Sequence, residues 1–256
     1  MLARALTLLY GAFSYLVFFA TFLYAIGFIG DVLVPKSIDS GPASSLPEAI
    51  AIDAALLALF AIQHSVMARP WFKRAWTAVV PQAAERSTYV LFSSLCLALL
   101  FWQWRPMGGT IWRVDGPVGH AILLLLFAAG WVIVLVSTFL TSHVDLFGLR
   151  QVWMRFRNQA YAPISFKSRG LYKLVRHPLY VGWLFAFWFT PIMTAAHLVF
   201  ALATTAYILI AIGFEEKDLI KMHGEAYLRY REEVPMLTPS LKRTRRLDVR
   251  EWRPNK

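Results

Sequence analysis

Long apolar runs separated by short polar connections dominate the hydrophobic pattern of this chain. A bilayer core about 30 Å thick is crossed by about 20 helical residues. Five runs meet or approach that length, at residues 6–29, 50–66, 88–104, 118–140 and 179–214. The last run exceeds one crossing, and Pro191 near its middle predicts two helices that fold back around residues 190–194. The pattern predicts an all-α, polytopic membrane helix bundle with a C-terminal helical hairpin.

The composition agrees with a membrane protein. Of the 256 residues, 58% are hydrophobic and only 16% are charged, which is atypical of a soluble domain. The net charge of +11 comes from Lys and Arg between the apolar runs and in the tail, where they contact anionic lipid. We therefore expect the lipid bilayer, and no nucleic acid, as a partner. The expected organisation is one integral membrane domain over residues 1–240 and a basic tail over 241–256.

Positive charge is distributed unequally over the connections. Lys and Arg are concentrated in residues 67–87, in residues 141–178 and after residue 214, whereas residues 35–47 and 105–117 carry few of them and the turn at Pro191 carries none. Because cytoplasmic loops collect Lys and Arg, we expect the basic segments and the amino terminus to face the cytoplasm. The chain would then be a multi-pass protein of a bacterial-type inner (plasma) membrane.

Charged, aromatic and turn residues flank the terminal hairpin on both sides. They are Arg176, His177, Pro178, Tyr180, Gly182, Glu215, Glu216, Tyr227 and Tyr230. Pro178 suits the first turn of a helix, whose unpaired backbone N–H groups attract an anion, and the two glutamates and the tyrosine rings suit a cation. A zwitterionic ligand fits such a pocket. Taken singly, the same residues are typical of interfacial side chains and of helix-surface ion pairs.

The order Arg-His-Pro-x-Tyr-x-Gly, an apolar hairpin, Glu-Glu and Gly-x-x-Tyr-x-x-Tyr resembles the carboxy-terminal signature of the isoprenylcysteine carboxyl methyltransferase superfamily of integral membrane enzymes. The resemblance covers the chain from Arg176 to Pro239. It implies S-adenosylmethionine as methyl donor, bound at the cytoplasmic face by the hairpin ends. It implies that the binding residues include His177, Tyr180, Gly182, Glu215 and Glu216.

Two further segments are similar to a narrower branch, the methanethiol S-methyltransferases, which form dimethyl sulfide. They are residues 63–70, QHSVMARP, and residues 137–151, STFLTSHVDLFGLRQ. Members that methylate a prenylcysteine carboxylate carry arginines in the helix that leads into the paired glutamates, but residues 206–213 contain none. The resemblance therefore implies a small thiol as the acceptor.

Methylation of a thiol requires removal of its proton. A small alkanethiol has a pKa of about 10, above the roughly 8.5 of free cysteine, and the thiolate is the nucleophile. His64, His143 and Asp145 fall at cytoplasmic run ends and are the candidate catalytic residues, with one histidine as general base and Asp145 orienting it. Two alternatives stay open, a metal held by these three residues and simple helix capping with ion pairs to Arg69 or Arg150.

The sequence thus predicts in-line methyl transfer from S-adenosylmethionine to methanethiol, a reaction of sulfur metabolism. We expect no metal ligand among these residues. One alternative is methylation of a lipid acceptor, either a prenylcysteine carboxylate or a phospholipid amine. The other is a non-enzymatic membrane protein that keeps the same hairpin. The sequence leaves the oligomeric state open.

Overall fold

The computed structural model of the protein describes residues 1–164 and 168–239, so the predicted basic tail lies outside the described residues. Within them the chain forms ten α-helices and a two-stranded antiparallel sheet. The helices are α1 (Leu2–Gly30), α2 (Leu46–Ala68), α3 (Pro70–Trp76), α4 (Glu85–Gln103), α5 (Pro117–Thr141), α6 (His143–Leu146), α7 (Leu149–Phe156), α8 (Pro178–Trp188), α9 (Ala195–His223) and α10 (Glu225–Glu233). The strands are β1 (Thr110–Arg113) and β2 (Ile192–Thr194).

Among the described residues, five helices are long and apolar enough to cross a membrane. They are α1, α2, α4 together with its preceding turn, α5 and α9. This finding confirms the predicted all-α polytopic bundle. Helix α9 continues to His223, past the predicted end of the apolar run at residue 214. Glu215 and Glu216 therefore lie inside a helix and not beyond its end.

The terminal hairpin has two unequal halves. Its first helix, α8, has 11 residues, which span about 16 Å and cover only half of a 30 Å bilayer core. The helix ends just before Pro191, and the chain continues as β2, which pairs with β1. The predicted break is confirmed, whereas the two strands were not predicted. The first half of the hairpin thus consists of a short helix followed by extended chain.

The connections between the helices fall into two groups, one at each end of the bundle. One polar contact illustrates each group. At one end Arg69 of α2 pairs with Asp218 of α9 at 3.1 Å. At the other end the Trp112 indole N–H donates to the carbonyl oxygen of Thr190 at 3.1 Å. This grouping is the one that the distribution of Lys and Arg predicted. Both ends of the hairpin are therefore placed at the end that carries the basic connections.

Close contact between backbones fixes α8 against α5. A Cβ atom built on Gly182 would lie 2.7 Å from the carbonyl oxygen of Gly130 and 2.8 Å from the backbone nitrogen of Val134. Small residues permit such an approach of two membrane helices. Gly182 lies in this interface and sets the position of the start of α8, and its role in binding the methyl donor stays a prediction.

The Gly182→Ala variant is expected to unfold more easily than the wild type. The new methyl group would meet backbone atoms of α5, which cannot move aside singly, and such overpacking costs about 1–3 kcal/mol. The midpoint of thermal unfolding in detergent measures the loss. Gly213→Ala on α9 is the matched control, because nothing lies within 4 Å of a Cβ built there. Equal midpoints for the two variants would contradict the proposed packing.

Candidate active site

A buried carboxylate joins the two ends of the hairpin. Arg176 Nε donates to Glu216 Oε1 at 2.8 Å, and His177 Nε2 lies 3.1 Å from the same oxygen. The side chains of Arg176, Glu216 and His177 are only 11%, 12% and 4% exposed. A carboxylate removed from water needs partners of this kind. We call these three residues the carboxylate clamp, because they tie the start of α8 to α9.

The carboxylate clamp also holds the segment that follows α10. Arg176 Nη1 donates to the carbonyl oxygens of Arg231 and Val234 at 2.9 and 2.6 Å. The backbone N–H groups of Arg176 and His177 donate to the carbonyl oxygens of Pro235 and Met236. The guanidinium of Arg176 is therefore hydrogen-bonded to carbonyl oxygens of the protein's own backbone. Arg176 is thus a positioning residue for the site.

Glu215 is the accessible acid beside the carboxylate clamp. Its side chain is 45% exposed, and its Oε2 atom accepts a hydrogen bond from the Tyr180 hydroxyl at 3.0 Å. His177 Nδ1 lies 3.7 Å from the same oxygen. The two adjacent glutamates therefore differ in role. Glu216 is occupied by the carboxylate clamp, whereas the Glu215 carboxylate is partly open to solvent.

Tyr227 and Tyr230 lie inside the protein. They are 1% and 6% exposed and form a small core with Val234. The Tyr230 hydroxyl donates to the carbonyl oxygen of Tyr172 at 2.6 Å. Burial raises the pKa of both phenols, so both are neutral at physiological pH. These rings pack α10 against α9, and their role as ring faces for a cation stays a prediction.

His64 lies on α2 and contacts α4 and α9. Its Nε2 atom is 2.7 Å from the Tyr89 hydroxyl, and its Nδ1 atom is 3.1 Å from Ser93 Oγ. The Tyr207 hydroxyl lies 3.1 Å from Ser65 Oγ, and the Tyr207 ring centre lies 6.5 Å from the imidazole. We call these five residues the His64 network. Sequence reasoning found only the histidine.

His143 lies in a different environment at the start of α6. Its Nδ1 atom is 2.9 Å from Thr138 Oγ1, and that hydroxyl donates to the carbonyl oxygen of Leu135 at 2.7 Å. Nδ1 therefore carries the imidazole proton, and Nε2 accepts from the Tyr15 hydroxyl at 2.8 Å. Burial lowers the pKa of His143, which keeps the ring neutral. Phe139 stacks on it at 4.4 Å, and the arrangement is that of a structural histidine.

Asp145 does not form the predicted pair with His143. Its Oδ1 atom accepts from Arg150 Nη1 at 3.0 Å, and its Oδ2 atom accepts from the Tyr161 hydroxyl at 3.2 Å. A permanent cation on the next helix is a stronger partner for a carboxylate than a neutral imidazole. Nor do residues 1–164 and 168–239 assemble His64, His143 and Asp145 into a metal-binding group. The predicted catalytic set is thus divided between two places.

The His64 network adjoins the ends of the hairpin. Tyr180 interacts electrostatically with Tyr207 and Tyr89 as well as with Glu215. Tyr207 and Glu215 lie on the same helix, α9, about 12 Å apart along its axis.

Comparisons with known proteins identify relatives over nearly the whole chain. The chain is 60% identical over 238 residues to a methanethiol S-methyltransferase of Crocosphaera subtropica, covering 93% of each chain. It is 52% identical to a methanethiol S-methyltransferase of Mycobacterium tuberculosis, covering 92% of this chain and 97% of the relative. Nurim of Mus musculus is 32% identical over 184 residues, with 68% and 70% covered. No family model and no solved structure matches.

The fold and these relatives define the class of the protein as a multi-pass membrane methyltransferase. The chain belongs to the methanethiol S-methyltransferase family. The sequence motifs resembled this family, and these relatives confirm the resemblance. Nurim places the family within a wider group of membrane proteins.

Proposed function

We propose that the protein transfers a methyl group from S-adenosylmethionine to methanethiol and forms dimethyl sulfide. We place the reaction at the cytoplasmic face of a bacterial-type inner membrane. The observation that carries the proposal is the likeness to relatives named for this activity, which are 52–60% identical over at least 92% of the chain. The geometry of the hairpin ends and of His64 supports it independently.

The hairpin ends fit the charges of S-adenosylmethionine. When bound, this methyl donor supplies an electrophilic methyl group on a positively charged sulfonium. The first turn of α8 is the positive end of a helix dipole and suits a carboxylate. The half-exposed Glu215 suits a positive centre, and Tyr180 holds the Glu215 carboxylate in place. The carboxylate clamp keeps the two ends of the hairpin together, so that these groups face one ligand.

The His64 network suits the acceptor side of the reaction. A thiol must lose its proton to become an effective nucleophile, and a neutral imidazole is the usual group that accepts it. Of the two predicted histidines, His64 lies beside Tyr207 of α9, the helix that also carries Glu215. His143 already donates to Thr138 and accepts from Tyr15. We therefore assign the general base to His64 and a structural role to His143.

The proposed activity is tested with detergent-purified protein in sealed vials that contain methanethiol and S-adenosylmethionine. Headspace gas chromatography with mass detection is expected to show dimethyl sulfide, and a methyl donor with a deuterated methyl group is expected to transfer all three deuterium atoms. Parallel vials contain a prenylcysteine or a phospholipid amine. Methylation of one of these lipids without formation of dimethyl sulfide would overturn the proposal.

A further inference from the structure

Arg69 ends α2 and folds back onto it. Its backbone is extended and its N–H donates to the carbonyl oxygen of Val66 at 3.0 Å, because the following residue is Pro70, which disfavours helical backbone at the residue before it. The last carbonyl groups of a helix lack backbone donors, and Arg69 Nε donates to one of them, that of Ser65, at 3.2 Å. Pro70 and this hydrogen bond therefore fix the direction of the guanidinium.

The guanidinium of Arg69 reaches across to α9. Its Nη1 atom donates to Asp218 Oδ2 at 3.1 Å, and its central carbon lies 5.4 Å from the centre of the Phe214 ring. The side chains of Arg69 and Asp218 are partly buried, at 28% and 36% exposed. A planar guanidinium can bond a carboxylate and stack on an aromatic ring at the same time. These two contacts and the bond to Ser65 hold Arg69 between the two helices.

A second hydrogen bond joins α2 to α9. The hydroxyl groups of Ser65 and Tyr207 lie 3.1 Å apart. Ser65 and Arg69 are about one turn apart and share a face of α2. Tyr207 and Asp218 are about three turns apart, or about 16 Å along the axis, and share a face of α9. The two bonds therefore connect one face of α2 to one face of α9.

We propose that Arg69 is a positioning residue for methyl transfer, which holds the helix of the proposed base against the helix of the proposed donor carboxylate. His64 directly precedes Ser65 on α2, and Glu215 lies about one turn before Asp218 on α9. The two bonds thus join α2 and α9 where these helices carry the acceptor side and the donor side. This inference rests on the proposed function, because it takes His64 as the base and Glu215 as part of the donor site.

Alignment of the two helices matters because the sulfur of the acceptor must lie in line with the methyl group and the sulfonium of the donor. A misplacement of about 1 Å can cost about 10²-fold in rate. The donor side is held separately, by the carboxylate clamp between the start of α8 and α9. An ion pair as exposed as that of Arg69 and Asp218 contributes little to the stability of a fold. Its loss is therefore expected to slow turnover while the fold and the donor site remain.

The Asp218→Ala variant tests the proposal, because alanine removes the acceptor of Arg69 and is compatible with a helix. The variant is expected to lower kcat for methanethiol, measured as dimethyl sulfide, by at least about 10-fold. The Kd for S-adenosylhomocysteine and the midpoint of thermal unfolding are expected to stay near those of the wild type. Asp218→Glu keeps the charge and is expected to retain most of the turnover.

A double variant shows whether the two residues act as a pair. Arg69→Ala is expected to lower kcat as Asp218→Ala does, and the variant with both changes is expected to lose no more than Arg69→Ala alone. Contributions of residues that act through one another are not additive. Losses that multiply in the double variant would show that Asp218 acts independently of Arg69 and would overturn the proposal.

Glu85→Ala is the matched control. Glu85 pairs with Lys73 at 3.7 Å at the same end of the bundle, but this ion pair joins α3 to α4. The control is expected to keep the wild-type kcat and Kd. Wild-type kcat in Asp218→Ala, or a loss that Glu85→Ala shares, would overturn the positioning role. So would a lowered midpoint together with lost donor affinity, which would assign the ion pair to the stability of the fold. Formation of dimethyl sulfide by the wild type tests the proposed function separately.

Discussion

Replacing Glu216 by alanine is expected to lower the free energy of unfolding by about 3–5 kcal/mol, because the change leaves the buried Arg176 without its counter-charge. Glu216 accepts from Arg176 and contacts His177, and its side chain is only 12% exposed. Loss of this carboxylate also frees the start of α8 from α9. Both hairpin ends then lose their fixed geometry, so affinity for S-adenosylmethionine is expected to disappear together with stability. Unfolding titrations in mixed detergent micelles and calorimetry measure the two effects.

Glu225→Ala is the control for this substitution. Glu225 is exposed in the first turn of α10, and surface changes of this kind usually alter stability by less than about 0.5 kcal/mol. The control is expected to keep both the wild-type stability and the affinity for the methyl donor. If the Glu216 and Glu225 variants were equally stable, the carboxylate clamp would not hold the site together.

The architecture of the membrane helices follows directly from the apolar pattern. The number of consecutive apolar residues in each run predicted the membrane spans. Pro191 predicted the break between α8 and α9, because proline interrupts a helix. Strand β1 gives no comparable signal, since four residues that lie mostly exposed have no apolar periodicity to detect. Its partner β2 forms only because the fold brings residues 110–113 and 192–194 together.

The roles of neighbouring residues were harder to predict. Glu215 and Glu216 are adjacent in the sequence, but successive residues on a helix point about 100° apart. One therefore enters the carboxylate clamp while the other stays accessible. Asp145 likewise had two local candidates, His143 and Arg150, and the ion pair with Arg150 that the sequence left open as an alternative is the one that forms. Choices among competing partners depend on the packed structure and not on local spacing.

Tyr89 and Tyr207 were missed because tyrosine is common near the ends of membrane helices. One signal was nevertheless present. Tyr89 and Ser93 are four residues apart and therefore share a face of α4, which is the face that meets His64. Two hydroxyl residues at this spacing inside an apolar run indicate a buried polar partner, because lipid cannot satisfy them.

Replacing Glu215 by glutamine is expected to separate binding of the methyl donor from stability. The amide keeps an oxygen that can accept from Tyr180, and the side chain is 45% exposed, so the midpoint of thermal unfolding is expected to stay near that of the wild type. The loss of one charged hydrogen-bond acceptor for a cation costs about 1.5–3 kcal/mol. This cost corresponds to roughly a 10-fold to 100-fold weaker Kd for S-adenosylmethionine.

Binding of the product S-adenosylhomocysteine shows which positive group of the methyl donor contacts Glu215. The product lacks the positive sulfonium and keeps the amino group. A Glu215→Gln variant that binds S-adenosylmethionine much more weakly, but binds the product normally, would place the sulfonium against Glu215. Equal weakening of both ligands would place the amino group there. Unchanged affinity for both ligands would contradict the assignment of the accessible carboxylate to the methyl donor. The assignment of the acceptor side does not depend on which of these results is found. The hydrogen bonds of the His64 network join α2, α4 and α9 and do not involve the Glu215 carboxylate.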